Sequence, residues 1–214
     1  MENTRPRISI LFTLIISCML GSCHNSKETD DPKNKKDTSI RQTVKIEQKV
    51  APNRGPVINI TDTVSTKQLV LCIRDSAANS SRISMKLSQI YGVKLAAAIK
   101  KNNLKIIGPP MAWYKSQQAP FFFEAGFPVD KKPAKLPFGI FIKQIETDSV
   151  VVAHFYGPYD LTSQAYAALQ DWMKDHKKKQ LQQPYEIYVD DPLEKNGQLK
   201  DPYKVQTDVV FTWK

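Results

Sequence analysis

The sequence predicts an α+β domain: an antiparallel sheet with two helices on one face. Three observations carry this. Apolar residues recur at helical spacing in two separate stretches, extended apolar runs surround each stretch, and the order strand, helix, strand, strand occurs twice. Helices that return each time to antiparallel strands, without strict βαβ alternation, segregate to one face of the sheet. The two halves read as a pseudo-symmetric duplication.

The first half opens with QLVLCIRD (68–75), a strand. In SRISMKLSQIYGVKLAAAIKKNN (81–103), Ile83, Leu87, Ile90, then Lys94 (by its stem) or Leu95, and Ala98 form one stripe, with Ser80 or Ser81 as N-cap. LKIIGPPMAWYK (104–115) and APFFFEAGFPV (119–129) follow as extended runs separated by turn-prone residues. The second half repeats the theme. GIFIKQIETDSVVVAHFYG (139–157) reads as a hairpin turning near Thr147 to Ser149. DLTSQAYAALQDWMKDHKKK (160–179) is a helix capped by Asp160 or Thr162, with Tyr166, Leu169, Trp172 or Met173, and His176 along one face. PYEIYVDD (184–191) and VQTDVVFTWK (205–214) close the chain as strands.

What precedes this domain has a different character. Arg5 and Arg7 are followed by an apolar run from Ile8 to Leu20, too short for a permanent span, and then by small residues before Cys23. These are the parts of an export signal. Leu20-Gly21-Ser22-Cys23 resembles the lipobox of bacterial lipoproteins, in which the signal is cut before the cysteine and that cysteine is acylated. The resemblance implies a membrane anchor at Cys23, with no spanning helix needed. His24, rather than Asp, follows the cysteine, which favours the outer membrane or periplasmic face over inner-membrane retention. From His24 to about Ile60 the chain is polar and without periodicity, as a tether is. The expected organisation is therefore a signal peptide at 1–22, an anchored linker at 23–60 and one domain at 61–214.

The net charge of +10 admits nucleic acid or an anionic membrane surface as a partner. KKNNLK (100–105) and DHKKKQ (175–180) both fall at helix C-termini, however, where cations complement the macrodipole. No nucleic-acid partner is expected of an exported, anchored chain. With Cys18 lost with the signal and Cys23 acylated, Cys72 is a lone thiol in an apolar run and reads as a core residue. His24, His154 and His176 cluster neither with one another nor with cysteines, so neither a metal site nor a cofactor is expected.

GPPMAWYK, FFFEAGFPV, GPYDLTSQAYAALQDWM, PYEIYVDDP and TDVVF, in that order, resemble the GyrI-like effector-binding domain found as the sensor of AraC-type and MerR-type multidrug regulators. The resemblance spans residues 65 to 214. It implies a paired strand-helix-strand-strand fold with a cleft for hydrophobic, often cationic, aromatic compounds, recognised by aromatic walls and a buried acid. An apolar cation is best held by flat aromatic faces and one desolvated carboxylate. Asp208 stands where the family carries a glutamate in a T-E-[IV]-Y type segment, here TDVV, with a shorter acid and no tyrosine. Glu124 is the second candidate acid, with a rim carboxylate as the alternative. Trp113, Tyr114, Tyr156, Tyr185 and Tyr188 are candidate walls, with a core or surface role as the alternative for each, since aromatic strand residues commonly fill cores. Gly157-Pro158-Tyr159 reads as the turn before the second helix, and Trp172 as packed under the sheet.

The expected ligand is thus a hydrophobic small molecule. Some relatives of this fold hydrolyse strained compounds with a pocket acid and aromatics, so hydrolysis is an alternative, although no Ser-His-Asp, Cys-His or phosphate-loop pattern occurs. A protein-interaction module without a pocket is the other.

Overall fold

The computed structural model describes residues 54–214. Cys23, the signal segment and most of the linker lie outside the described residues. Eight strands form one antiparallel sheet: β1 Val57–Val64, β2 Gln68–Ala77, β3 Met111–Tyr114, β4 Phe121–Val129, β5 Ile140–Ile145, β6 Ser149–Tyr156, β7 Tyr185–Tyr188 and β8 Gln206–Thr212. Their order is β1-β6-β8-β7-β3-β4-β2-β5. The duplication is explicit in this order, since β6-β8-β7 mirrors β2-β4-β3 about the central β7/β3 pair, and β1 and β5 are added at the two edges. Strand β1 begins at Val57, ahead of residue 61, so ordered structure takes in the last part of the segment assigned to the linker.

The first helix runs as α1 (Ile83–Gln89), a π-helical turn (Ile90–Leu95) and α2 (Ala96–Lys101). The wider π turn settles the stripe: Ile83, Ile90, Leu95 and Ala98 are buried, while Lys94 is exposed. A one-turn 3-10 segment, Ser80–Arg82, precedes α1, and neither Ser80 nor Ser81 caps it by a side-chain hydrogen bond. The second helix, α3 (Ser163–Asp175), buries Tyr166, Leu169 and Met173, with Thr162 at its N-cap position and Trp172 partly buried.

Residues 139–157 do not form a hairpin. Strand β5 pairs with β2, whereas β6 pairs with β1 and β8. Two strands joined by only Glu146 to Asp148 thus sit near opposite ends of the sheet order. So short a connection reaches about 15 Å at most, so the sheet must curl until its ends approach. Ser65 closes the seam, its amide donating to the Asp148 carbonyl at 2.9 Å and its hydroxyl to the Glu146 carbonyl at 2.7 Å. Local alternation could not distinguish this from a hairpin, because partner choice is decided by β1 taking one edge of β6.

Curling gives the sheet two different faces. The outer face carries both helices over two buried clusters, one under α1 and α2 and one under α3. The inner face is filled by its own side chains, among them Val70, Cys72, Met111, Trp113, Tyr185 and Val210. Cys72 is fully buried there, as its sequence context implies, and burial pushes its thiol up to about 12. The compact unit Val50–Lys214 holds every described strand and helix and all three clusters, and so stands as a folding unit in its own right.

Candidate functional site

Period-2 alternation divides the predicted site residues between the two faces. Tyr114 and Tyr188 point to the helix-bearing face. Trp113, Glu124, Tyr156, Tyr185 and Asp208 point to the other.

On that other face, Glu124 is held by Arg74 Nε and Lys143 Nζ, each at 2.7 Å. Burial alone would raise its carboxyl, but the two cationic donors outweigh this and hold it below the ordinary value. Lys143 also lies 4.5 Å over the Trp113 ring, and Trp113 packs against Tyr185 with centroids 5.5 Å apart. Asp208 accepts from His154 Nδ1 and Gln206 Nε2, both at 2.8 Å, and Gln206 accepts from the Tyr156 hydroxyl at 2.7 Å. His154 Nε2 is 3.2 Å from the Thr61 hydroxyl. Each acid on this face therefore has its partners, and neither shares a wall with Tyr114 or Tyr188.

The helix-bearing face assembles something else. Glu186, absent from the residues singled out by sequence, sits in central strand β7 opposite Val209, with 1% of its surface exposed. Three tyrosine hydroxyls donate to it: Tyr159 to Oε2 at 2.6 Å, Tyr188 to Oε2 at 3.0 Å and Tyr166 to Oε1 at 3.0 Å. The Tyr114 hydroxyl completes the ring, 2.9 Å from that of Tyr188 and 3.2 Å from that of Tyr159. Counting protons, three tyrosines each place one on the carboxylate, and Tyr114 gives its own to a neighbouring hydroxyl. Three of the four hydroxyl protons are thus used by an ionised Glu186 and the fourth by the ring itself.

The elements that bring these groups together come from both halves. Tyr114 lies on β3, Glu186 and Tyr188 on β7, and Tyr166 on α3, while Tyr159 begins the 3-10 turn before α3 (Tyr159–Leu161). Thr162 fixes that turn through its hydroxyl on the Tyr159 carbonyl at 2.6 Å. From the first helix, Tyr91 in the π turn donates to the Met111 carbonyl at 2.9 Å and meets Tyr188 edge-on. Tyr159 is 42% exposed although its hydroxyl reaches a buried acid. Its ring therefore stands between Glu186 and solvent.

Among the described residues, no cation pairs with Glu186. Burial raises its carboxyl above the ordinary value, and the three hydroxyl donors offset this only in part. Burial, together with the nearby Glu186 charge, likewise holds the hydroxyls of Tyr114, Tyr159, Tyr166 and Tyr188 in their neutral form. The result is a buried acid solvated by neutral dipoles and walled by aromatic rings.

One signal in the sequence could have found it. The acid, Ile or Val, Tyr pattern that residues 208–210 match only in part stands complete at Glu186-Ile187-Tyr188, one strand earlier. Tyr159 and Tyr166 gave no such signal, since their spacing served equally for a turn and a core stripe.

No protein-family model matches the chain, and none of the curated proteins matches it. Solved structures do. The C-terminal domain of EcmrR superposes with a TM-score of 0.62 at 17% identity, covering 74% of this chain and 98% of that domain. EcmrR in its complex with DNA gives a TM-score of 0.62 at 19% identity, covering 73% of this chain; the chain spans 57% of EcmrR's length there. A conserved protein from Listeria innocua gives 0.52 at 11% identity, covering 72% and 92% of the two chains. At such identities the likeness is one of fold, and the α+β architecture is the one shared with the EcmrR C-terminal domain.

Proposed function

We propose that this chain is an envelope-tethered binding protein for hydrophobic, cationic aromatic small molecules, taken up at the Glu186 tyrosine ring. One observation carries the reading: an acid with 1% exposure has hydrogen-bond donors but, among the described residues, no counter-ion. A buried charge without a partner is costly, and a ligand cation supplies the missing charge while the tyrosine faces supply area and cation–π attraction. Tyr159 is the element to move aside, being the ring member with most exposure. The fold shared with the EcmrR C-terminal domain supports the reading at the level of architecture. Tethering rests on the sequence around Cys23, where acylation would hold the domain at the outer membrane or periplasmic face.

Ethidium, a planar aromatic monocation, and the neutral dye Nile red are suitable probes for the unit Val50–Lys214. Saturable ethidium binding at micromolar concentration, retained in Asp208→Asn, is the expected result. No ethidium binding by the folded unit, or equal loss in Asp208→Asn, would remove the proposed site. For the anchor, radiolabelled palmitate should be incorporated by the full chain and lost in Cys23→Ser; equal labelling of both would dismiss it.

A further inference from the structure

At the β5 edge of the sheet, away from Glu186, the segment Asp130–Gly139 (DKKPAKLPFG) is firmly held yet presents an apolar residue to solvent. Its start is fixed by Asp130, whose amide donates to the Lys105 carbonyl at 3.1 Å and whose Oδ1 accepts from the Lys105 amide at 2.8 Å. Pro133 is buried, Leu136 packs on the cluster under the first helix, and the Pro137 carbonyl accepts from Ile140 at 3.2 Å. Phe138, between these fixed points, is fully exposed. A pinned loop that leaves a whole phenyl ring in water forgoes the stabilisation that burial would give it.

Its surroundings are cationic. Lys131, Lys132 and Lys135 are exposed, and none makes a hydrogen bond or ion pair among the described residues. Beside Phe138 opens a cavity of about 330 Å³ lined by Ile73, Arg74, Lys94, Phe138, Gly139 and Ile140. Lys94 makes no hydrogen bond or ion pair among the described residues, and Arg74 gives its Nε to Glu124 and lies 4.7 Å over the Phe141 ring while 71% of its side chain stays exposed. The nearby acids are already engaged, Asp130 by the Lys105 amide, Glu124 by Arg74 and Lys143, and Asp75, whose charge also reaches Lys94, by Lys86 at 2.9 Å.

From this juxtaposition we infer that the Asp130–Gly139 loop, with the Arg74/Lys94 cavity beside it, docks on an anionic phospholipid surface. Phe138 enters the headgroup and acyl boundary, the three lysines face the negative surface, and Arg74 and Lys94 take a lipid phosphate. An exposed aromatic residue in a segment carrying three unpaired lysines is the combination such an interface accepts, and the +10 chain supplies the complementary charge overall. The inference does not depend on acylation at Cys23 or on ligand binding at Glu186.

The test uses the unit Val50–Lys214, which lacks Cys23, in co-sedimentation with vesicles of phosphatidylcholine and phosphatidylglycerol or of phosphatidylcholine alone. Binding to the anionic vesicles only, weakened by salt, is expected. Phe138→Ser should weaken it about tenfold, and each of Lys131→Gln and Lys135→Gln about fivefold, with ethidium affinity unchanged. Joint neutralisation of Lys177, Lys178 and Lys179 should leave it intact. Equal loss from that triple change would show diffuse charge attraction and overturn the assignment. So would binding to neutral vesicles, an unaffected Phe138→Ser, or capture of inorganic phosphate without vesicle binding.

Discussion

Glutamine at position 186 keeps the shape of the side chain and removes its charge, which makes Glu186→Gln the sharpest probe of the tyrosine ring. Its amide oxygen can still accept from Tyr159 and Tyr188, which share Oε2, while its amide nitrogen falls where Oε1 accepted from Tyr166. The Tyr166 hydroxyl must then turn from donor to acceptor, so one hydrogen bond is reversed and none need be lost. A bound cation, by contrast, loses the charge it faces. At about 4 Å and an effective dielectric near 20 the gross attraction is about 4 kcal/mol. After the cation's own desolvation, a net loss of about 1.5–3 kcal/mol is the expected order, the range for hydrogen bonds to charged groups. Ethidium titration by fluorescence anisotropy should thus show affinity falling roughly ten- to hundredfold, with Nile red affected less than about threefold. The stability of the ligand-free unit should move the other way. With its folded value raised above 4.5, Glu186 contributes stability that is fully present below 4.5 and is lost as pH rises through the raised value. Parent and variant should therefore unfold alike at pH 4 and diverge toward pH 8, with the glutamine form the more resistant. A folded Glu186→Gln that keeps parental ethidium affinity, or urea midpoints that fail to diverge with pH, would refute the reasoning.

Tyr159→Phe removes the shortest of the three donors to Glu186, so ionisation should need a higher pH and the pH midpoint of ethidium binding should rise; an unmoved midpoint would contradict the proton accounting. Lys143→Met leaves Glu124 with Arg74 alone and should cost about 1–3 kcal/mol in urea unfolding at pH 7. Because the Glu124 carboxyl is held low, its contribution is present above 4.5 and lost as pH falls through the lowered value, so the difference from the parent should close in acid. Gly126→Ala would place a Cβ 2.5 Å from the Leu71 carbonyl oxygen and 2.6 Å from Cys72 Sγ, two atoms that cannot easily withdraw; a loss of about 1–3 kcal/mol is expected by thermal or urea unfolding.

How far the sequence could be read follows from the range of each interaction. The helices and most of the strands were legible because burying one face imposes a period on neighbouring residues. Ile83, Ile90, Leu95 and Ala98 in the first helix, and Tyr166, Leu169 and Met173 in the second, follow that rule. The duplicated order also survived, since it is only a repetition of periods. The pairing of β5 and β6 was not legible, because alternation says which face a residue occupies but not which strand lies beside it. The same gap hid the site. Glu186 and Tyr188 are two residues apart on one strand and so share a face by rule, yet Tyr159 lies 27 residues and Tyr166 20 residues from Glu186. Only the curl of the sheet and the placement of α3 over β7 bring those hydroxyls to it. Asp208 attracted attention by its place in the closing strand. Alternation puts it on the face opposite Val209 and Phe211, and those two residues lie under α3. Once the helix-bearing face is assigned, strand parity places Glu186 beneath it together with Tyr188: a buried carboxylate is recognised less by its local motif than by which layer of the domain its strand parity gives it.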